Sequence, residues 1–437
     1  MRTFGVLQPT FAIESLMDIC SEKLGIDPIE LRMINGMKDG AVTHTRQVLG
    51  KVAYTETLKK CSEIAGWEVG SSRVRGAVRK DIKGSQIAEP YIPGKEFKSE
   101  EAMKLCRDRF KYGRGVGTGW YGIGRCATID KAGAFVEIDD GGTAMILTGV
   151  SEIGEGILTV LTQIAADELG MYPEDITIGD NDTARVPEAA HVGASRQTYM
   201  IGNAVCNACR DVKKKFIREM AAYWNIDSSS ICMKNRRIYV EGNAQYNLSL
   251  KEAVDICKKI RGIVPLGSGT YTAHHEGLDP VDGRGNPWQA YVFGTQIAEV
   301  AVDTFTGEVH VLGIWAAHDV GRVINPRGVE GQIEGGAVQS MGQTIMENYV
   351  LSEGVPTNKN FAKYILPTSV DVPETHSYLV EERDPFSPVG AKGIGEPAPL
   401  PTAPAIVNAI YDAVGVRITS LPAIPEKILN EISKMKN

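Results

Sequence analysis

The sequence predicts a mixed α+β protein whose main domain contains two similar halves. One order of elements occurs twice: two strands joined by a turn, a glycine-bearing loop, and a helix. The first copy covers residues 132–169 and the second covers residues 296–342. Alternating apolar residues indicate the strands, and apolar residues three and four positions apart indicate the helices. The two copies share no repeated sequence, so the prediction depends on the order of elements alone.

The first part of the chain, residues 1–67, is predicted to be helical. Pro9 and the pair Asp27-Pro28 are typical of helix starts, and Gly25 is typical of a helix end. The predicted helices cover residues 8–25, 29–37 and 54–65.

Residues 68–112 are interpreted as a connector between two domains. Charges of both signs alternate there, and Pro90 and Pro93 interrupt any regular pattern. One charged helix with a solvated face is predicted at residues 99–109. The chain is therefore expected to divide into residues 1–67, the connector at 68–112, and a main domain at 113–437.

Turn and cap residues separate the elements of the main domain. Gly170, for example, is placed to end a helix, and Asp139 begins a tight turn between two strands. Strands are predicted at residues 132–138, 143–147, 175–182, 296–302 and 308–317, a hairpin at 231–242, and helices at 157–169, 193–224, 249–260, 328–342 and 402–414.

Composition excludes several classes of protein. The chain has 437 residues, of which 43% are hydrophobic and 23% charged, as in ordinary globular proteins. The formal net charge of −7 combines both signs, which argues against nucleic acid as a partner. No apolar run is long enough to span a membrane, and the first residues do not resemble a signal peptide. The sequence therefore predicts a cytoplasmic protein without a membrane partner.

The cysteines indicate reduced thiols rather than a metal site. There are eight, and only Cys206 and Cys209 have the spacing of metal ligands. This pair lies within a predicted helix, with no second pair of cysteines or histidines nearby, so thiols are favoured over a metal ion. Any iron–sulphur cluster is expected on another chain.

A loop near the end of the chain is the strongest candidate for a catalytic site. Residues 391–401 place two glycines and three prolines around a single carboxylate, that of Glu396. Glycine and proline define the backbone there, and a helix follows directly, so Glu396 is expected to be held rigidly, as a general base must be. The alternative is a glutamate that interacts favourably with the dipole of the following helix.

Two further turns are candidates for binding an anion. Gly154-Glu155-Gly156 directly precedes a helix, where backbone N–H groups favour negative charge. The second turn begins the helix that runs toward Trp224, and it combines small residues with hydroxyl, guanidinium and amide side chains. The alternative for this turn is an ordinary serine cap. Its residues are Gly193, Ala194, Ser195, Arg196, Gln197 and Thr198.

Five separated motifs, in the same order, resemble the molybdenum-binding subunit of the xanthine dehydrogenase family of hydroxylases. Thr3 stands where the family has glycine, and Glu155 stands where it usually has glutamine. The motifs are most similar to those of nicotinate dehydrogenases and bacterial xanthine dehydrogenases, and they imply the molybdopterin-binding fold of that family. The five motifs are Arg2-Thr3-Phe4-Gly5 with Gln8, the turn at 154–156, the turn at 193–198, Gly331-Gln332-Ile333-Glu334-Gly335, and Lys392-Gly393-Ile394-Gly395-Glu396-Pro397.

The resemblance implies roles for individual residues. Glu396 is expected to be the active-site base, and Phe4 is expected to stack on the substrate, with Tyr121 and Gly124 as further substrate contacts. Arg2 and Ala194 are expected near the molybdenum, which the pterin holds without a protein ligand. The remaining contacts to the cofactor are expected from Gly154, Glu155, Gly156, Gly193, Ser195, Arg196, Gln197, Thr198, Gln332, Lys392, Gly393 and Gly395.

The resemblance also implies a multi-subunit enzyme. A glycine- and phenylalanine-rich loop of the family has no counterpart in the chain, so the N-terminal half of the molybdenum subunit is expected as a separate chain. The expected cofactor is molybdenum–molybdopterin, as the cytosine dinucleotide, with a sulphido or selenido ligand. Partner subunits with a 2Fe-2S cluster and FAD are expected to carry electrons away.

The implied reaction is hydroxylation of a small N-heteroaromatic compound, such as xanthine or nicotinate, with water as the source of oxygen. One alternative is an aldehyde or aromatic thioester as the substrate of an enzyme of the same family. The other alternative is a scaffold half without catalytic residues.

Overall fold

The computed structural model of the protein describes residues 2–70, 109–126, 128–387 and 389–436. The predicted connector helix at residues 99–109 lies almost entirely outside these ranges and stays a prediction. The helices of the described residues are α1 (Leu7–Leu24), α2 (Pro28–Asn35), α3 (Tyr54–Ile64), α4 (Ile157–Leu169), α5 (Gly202–Trp224), α6 (Leu250–Asp255), α7 (Pro326–Ile345), α8 (Thr402–Val414) and α9 (Pro425–Lys436).

Within the described residues, the strands form two four-stranded sheets and three smaller ones. The strands of the described residues are β1 (Phe110–Gly122), β2 (Lys131–Ile138), β3 (Ala144–Leu147), β4 (Ile176–Ile178), β5 (Ile231–Lys234), β6 (Arg237–Val240), β7 (Asn243–Ser249), β8 (Leu266–Thr272), β9 (Gly277–Leu278), β10 (Gly285–Asn286), β11 (Tyr291–Asp303), β12 (Val309–Asp319), β13 (Leu351–Ser352), β14 (Val355–Pro356) and β15 (Glu374–Val380).

The first half of the molecule is the sheet β4-β3-β2-β8 with two helices. β2 and β3 form the predicted antiparallel hairpin, and β3 pairs in parallel with β4. β8 completes the other edge, antiparallel to β2. α4 connects β3 to β4, and α5 packs against β2 and β8.

The second half has the same topology in the sheet β15-β12-β11-β1. β11 and β12 form the second predicted hairpin, and β12 pairs in parallel with β15. β1 takes the edge position that β8 has in the first half, although β1 comes much earlier in the chain. α7 connects β12 to β15, and α8 packs against β1 and β11. The prediction of an α+β fold with two similar halves is therefore confirmed.

Glycine allows a helix to lie directly on the edge strand of each sheet. Alternate glycines of β1 face α8, and a Cβ at Gly115 would overlap with the carbonyl oxygen of Ala405. On β8, a Cβ at Gly269 would overlap with the carbonyl oxygen of Ala204 on α5 in the same way. The sequence did not predict either strand, because glycine is uncommon in strands.

The helices near the start of the chain cover the other face of the second sheet. Ile29 of α2 and Leu58 of α3 pack against Val116 of β1 and Ile297 of β11 in one buried cluster.

β15 and α9 were also not predicted from the sequence, and the domain limits proposed from the sequence stay a prediction. Within the described ranges, no helix has both the length and the apolar composition needed to cross a membrane.

Candidate active site

A cavity of about 550 Å³ lies where loops of the two halves meet. In each half it is lined by the loop before the first helix and by the loop before the second helix. The turn Arg2–Gly5 adds Arg2 and Phe4 to its wall. Because equivalent loops of both halves contribute, the twofold repetition of the fold creates this site.

Most of the residues predicted for the site line this cavity. Tyr121, Gly124, Gly156 and Ala194 do not. The predicted residues that line it are Arg2, Phe4, Gly154, Glu155, Gly193, Ser195, Arg196, Gln197, Thr198, Gln332, Lys392, Gly393, Gly395 and Glu396.

The carboxylate of Glu396 is held on both sides. Its Oε2 accepts a hydrogen bond of 2.8 Å from the hydroxyl of Tyr121, and its Oε1 accepts one of 3.4 Å from the backbone N–H of Thr3. Its own backbone N–H donates to Ser195 Oγ at 2.9 Å. Glu396 is only 8% exposed yet lines the cavity. A buried, oriented carboxylate that reaches a cavity has the geometry of a general base.

Tyr121 supports Glu396. Its side chain is buried and does not line the cavity, and its predicted contact with the substrate stays a prediction. Burial, and then the charge of Glu396, raise the pKa of its hydroxyl, which therefore remains a hydrogen-bond donor. The backbone N–H of Gly124 donates to the carbonyl oxygen of Ala194 at 2.9 Å, and the predicted substrate contact of Gly124 also stays a prediction.

Arg2 connects three segments that are far apart in the sequence. Its Nε donates to the carbonyl oxygen of Gly395 at 2.8 Å, and its Nη2 donates to Oε1 of Gln332 at 3.2 Å. Burial lowers the pKa of Arg2, and the charge of Glu396 opposes this shift. The guanidinium thus joins the turn near the chain start to α7 and to the Glu396 loop.

The turn that carries Arg2 has an unusual backbone. The φ angles are 74° at Thr3, 49° at Phe4 and 93° at Gly5. A β-branched residue rarely adopts this left-handed conformation, so Thr3 retains a backbone suited to the family's glycine. Its side chain is fully buried, and its hydroxyl has no hydrogen-bond partner among the described residues. In this strained conformation the N–H of Thr3 is directed toward Glu396. Strained backbone of this kind is common at functional sites.

The loop before α5 packs directly on the Glu396 loop. A Cβ at Gly393 would overlap with the carbonyl oxygen of Ser195, so only glycine fits at this position. Ala194 and Ser195 themselves have φ angles of 53° and 50°. These two loops form one continuous wall of the cavity.

The guanidinium of Arg196 is turned away from the cavity. It is fully buried, its Nε donates to Oδ1 of Asp130 at 2.9 Å, and its Nη2 donates to the carbonyl oxygen of Lys131 at 2.9 Å. The prediction that this side chain recognises an anion is wrong, because its donors bind groups of the first half. Gln197 lines the cavity, although its Nε2 donates to the carbonyl oxygen of Ser151 at 2.8 Å.

A carboxylate already occupies the turn predicted to bind an anion. Glu152 accepts hydrogen bonds from the N–H groups of Gly154 at 2.8 Å, Gly156 at 2.9 Å and Leu158 at 3.2 Å. Burial opposes ionisation, but these hydrogen bonds lower the pKa of Glu152. Burial raises the pKa of Glu155, and the charge of Glu152 adds to this shift. The prediction of free N–H groups at this turn is therefore wrong.

Lys392 forms a buried ion pair behind the cavity wall. Its Nζ lies 2.6 Å from Oδ2 of Asp319, at the end of β12. Burial raises the pKa of Asp319 to about 6, although Lys392 opposes the shift. The ammonium group is therefore directed to Asp319, and only the rest of Lys392 faces the cavity.

The cysteine pair lies in the core of the first half. Cys206 and Cys209 are both buried in α5, and burial raises the pKa of both thiols. Across the part of the chain that the structure describes, no cluster of three His, Cys, Asp or Glu side chains could hold a metal ion.

Comparisons with known proteins decide the family. Residues 92–373 match the family described as "Molybdopterin cofactor-binding domain", and residues 1–36 match a second family with the same description. The chain is 31% identical over 446 residues to a protein of Bacillus subtilis that is named as a probable xanthine dehydrogenase subunit, covering 99% of this chain and 53% of the relative. The chain belongs to the molybdopterin-binding subunits of the xanthine dehydrogenase family.

Two further members of this family are similar over nearly the whole chain. The "6-hydroxypseudooxynicotine dehydrogenase complex subunit gamma" of Paenarthrobacter nicotinovorans is 31% identical, over 98% of this chain and 51% of the relative. The solved aldehyde oxidoreductase of Desulfovibrio gigas has a TM-score of 0.77 and 28% identity, over 99% of this chain and 41% of that chain. The chain thus spans about half of the length of the relatives that it matches.

The cavity suits the family's cofactor. Its volume lies within the range of about 300–1,000 Å³ that is usual for small-molecule sites. The N-terminal residues of α7 line it, and a helix N-terminus favours the phosphate groups of such a cofactor. Oε1 of Glu155 is buried and has no hydrogen-bond partner among the described residues, so it can accept from a pterin N–H group. Glu155 can therefore replace glutamine as an acceptor.

Several residues of the site were missed by the sequence reasoning. Glu152 and Asp319 carry no motif of their own, and Asp130 pairs with Arg196 from a distant segment. The one available signal was the acidic residue two positions before Gly154, which is typical of a side chain that caps a helix. The other pairings depend on the tertiary fold.

Proposed function

We propose that the chain is the catalytic half of the molybdenum subunit of a hydroxylase that acts on N-heteroaromatic compounds. The observation that supports this most strongly is Glu396, a buried carboxylate held by Tyr121 and Thr3 at the wall of a ligand-sized cavity. The reaction consumes the substrate and water, and it yields the hydroxylated substrate, two protons and two electrons.

Each residue of the site has a limited task in this reaction. When bound, the molybdenum cofactor supplies the oxygen-transfer chemistry and accepts the two electrons. Glu396 takes up a proton at Oε1, because the hydroxyl of Tyr121 occupies Oε2 at 2.8 Å whereas Oε1 has only the longer contact of 3.4 Å with the N–H of Thr3. Phe4 is 73% exposed at the cavity wall and offers its ring face to an aromatic substrate.

The cofactor is held mainly by backbone groups and by Arg2. The first residues of α7, Gln332, Arg2 and Glu155 all line the cavity. We expect the cytosine dinucleotide form, a sulphido or selenido ligand, and the metal next to Arg2 and Ala194.

Other polypeptides complete the enzyme in this proposal. The N-terminal half of the molybdenum subunit is a separate chain, and subunits with a 2Fe-2S cluster and FAD accept the electrons. The support is that two of the relatives are named as subunits.

An aldehyde is the second candidate substrate. It is favoured by the similarity to the aldehyde oxidoreductase of Desulfovibrio gigas. A scaffold without catalytic residues is disfavoured, because such a protein has no need of a carboxylate held as Glu396 is.

The test is Glu396→Gln in the complex purified from its native host. We expect molybdenum content to be unchanged and turnover to fall about 10²–10⁴-fold, the usual contribution of a general base. Turnover is measured with a dye as electron acceptor on xanthine, nicotinate and an aromatic aldehyde.

The matched control is Glu334→Gln, which changes an exposed glutamate on α7. It should retain both metal and turnover. Wild-type turnover in Glu396→Gln would remove this residue from the reaction, and activity on the aldehyde alone would favour the second candidate.

A further inference from the structure

Arg125 and His191 form a pair beside the cavity that has no task in the reaction described above. Nη2 of Arg125 lies 2.8 Å from Nδ1 of His191, and Nε of Arg125 donates to the same nitrogen at 3.3 Å. Because a guanidinium has only donors, Nδ1 accepts, and the hydrogen of the neutral imidazole is on Nε2. Burial, followed by the charge of Arg125, lowers the pKa of His191, which agrees with a neutral ring.

The Nε2 edge of this imidazole lies next to the ring of Phe4. A Cβ at Gly193, which lines the cavity, would be 3.3 Å from Nε2 of His191 and 3.7 Å from Cε2 of Phe4. The N–H of His191 and the ring of Phe4 therefore flank the same short stretch of the wall. A substituent on an aromatic ring that stacks on Phe4 can reach this N–H.

A buried ion pair holds the two loops that carry Arg125 and His191. Arg196 and Asp130 are both 0% exposed. Oδ2 of Asp130 accepts from the backbone N–H of Arg125 at 3.0 Å, and Nη1 of Arg196 donates to the carbonyl oxygen of His191 at 3.4 Å. The positions of both loops are thus determined by the core of the first half.

Arg125 is also the cation at this place whose charge is not already matched by a carboxylate. Within the described ranges, the cationic side chains that line the cavity have partners in the fold, whereas Arg125 forms no ion pair there. The lining cations with partners are Arg2, Arg196, Arg322 and Lys392.

An anionic ligand needs such a charge, because Glu396 lies in the same cavity wall. Glu396 is close enough to His191 for its charge to act on the pKa of the imidazole. A second carboxylate near Glu396 would be repelled unless a cation compensated it. Arg125 supplies this compensation through the imidazole that it holds.

We propose that the substrate carries a carboxylate on its aromatic ring and that this carboxylate accepts a hydrogen bond from Nε2 of His191. His191 then selects the substrate, and Arg125 is a positioning residue that keeps the hydrogen of the imidazole on Nε2. The proposal rests on the proposed function, in which the substrate ring stacks on Phe4, and it narrows the substrate class to aromatic carboxylates.

The first test is a binding measurement on the complex purified from its native host. Benzoate and benzamide have the same ring and differ in charge, and their affinities are measured by isothermal titration calorimetry. We expect the wild type to bind benzoate about 10- to 100-fold more tightly, the usual effect of a hydrogen bond to a charged group. His191→Leu should bind the two compounds equally. Equal affinities in the wild type would overturn the proposal.

The second test is the turnover of nicotinate and nicotinamide, or of 4-formylbenzoate and 4-formylbenzamide if the enzyme oxidises aldehydes. His191→Leu should raise KM for the carboxylate about 10- to 100-fold with little change in kcat, and it should leave both constants for the amide unchanged. Losses of equal size for the carboxylate and the amide would reveal a structural role only and would overturn the proposal.

Variants of Arg125 test its positioning role. Arg125→Leu should raise KM for the carboxylate as His191→Leu does, whereas Arg125→Lys retains a charged donor for Nδ1 and should retain most of the preference. The control is His44→Leu, which changes an exposed histidine that does not line the cavity. His44→Leu should retain the wild-type preference for the carboxylate.

The failure of this proposal and that of the proposed function are distinguishable. If Glu396→Gln loses turnover but the wild type binds benzoate no more tightly than benzamide, the carboxylate site is wrong and the proposed function stands. If Glu396→Gln retains full turnover, the proposed function fails. The calorimetry of His191→Leu then decides on the carboxylate site alone, since it does not depend on turnover.

Discussion

At the scale of the residue, the orientation of Glu396 depends on one hydroxyl group. Tyr121 donates to Oε2 at 2.8 Å, and no other side chain donates to this carboxylate within the described ranges. A hydrogen bond to a charged group is worth about 1.5–3 kcal/mol. We therefore expect Tyr121→Phe to lower kcat by about 10- to 100-fold with little change in KM.

The control for this prediction is Tyr54→Phe. That variant also removes a buried hydroxyl, which lies 3.2 Å from Oγ1 of Thr118, but it leaves Glu396 unchanged. Steady-state kinetics of both variants in the assembled complex separate an effect on Glu396 from a general loss of packing. Equal kcat values in the two variants would contradict the role given to Tyr121.

The sequence predicts a rigidly held Glu396 but not the residues that hold it. The loop of glycines and prolines around Glu396 is local, so its rigidity can be predicted from neighbouring residues. Tyr121 and Thr3 are 275 and 393 positions away from it. Their contacts exist only in the folded chain, as does the pairing that turns Arg196 toward Asp130.

At the scale of the element, β1 and α8 are in contact through backbone atoms. A Cβ at Gly115 would overlap with the carbonyl oxygen of Ala405, and neither backbone can move without disturbing the sheet. Overpacking of this kind usually costs about 1–3 kcal/mol. Gly115→Ala is therefore expected to lower the thermal unfolding temperature of the purified protein.

Gly335→Ala is the matched control for Gly115→Ala. Gly335 is exposed on α7, and a Cβ there would meet no atom within 4 Å. Since alanine favours a helix over glycine, this change should stabilise the protein by roughly 0.5–1 kcal/mol. If both variants unfolded at the same temperature, β1 would not need glycine for its contact with α8.

The close contact between glycine-rich strands and helices also explains why β1 and β8 were not predicted from the sequence. Glycine lowers the strand propensity of β1 and β8, and the benefit of glycine appears only when α8 or α5 lies against it. The two hairpins, by contrast, have turn residues and alternating apolar residues that are visible in the sequence itself.

At the scale of the whole molecule, the two halves have one topology but no common sequence. The order of hairpin, loop and helix in the sequence is enough to predict that the two halves share a topology, because each element has its own local pattern. What the order cannot predict is that equivalent loops of both halves meet at one cavity. The two halves are joined by contacts such as the hydrogen bond from the backbone N–H of Glu396 to Ser195 Oγ, and within the second half the ion pair of Asp319 with Lys392 links β12 to the loop of Glu396.

Global stability should depend on pH through this ion pair. Burial raises the pKa of Asp319 from its usual 3.8 to about 6. A carboxyl with a raised pKa in the folded state contributes stability that is fully present below about pH 4 and is lost as the pH rises through about 6. Asp319→Asn removes this contribution, so we expect the free energy of unfolding to change less with pH between about 4 and 6 than in the wild type.

The measurement is thermal unfolding of both proteins in steps of pH over that interval. Asp255→Asn is the control, because Asp255 and Lys259 form an exposed pair with an N–O distance of 2.9 Å. Its pH dependence should match that of the wild type. An Asp319→Asn protein with the wild-type pH dependence would mean that Asp319 does not titrate in this interval and that the pair stays fully ionised.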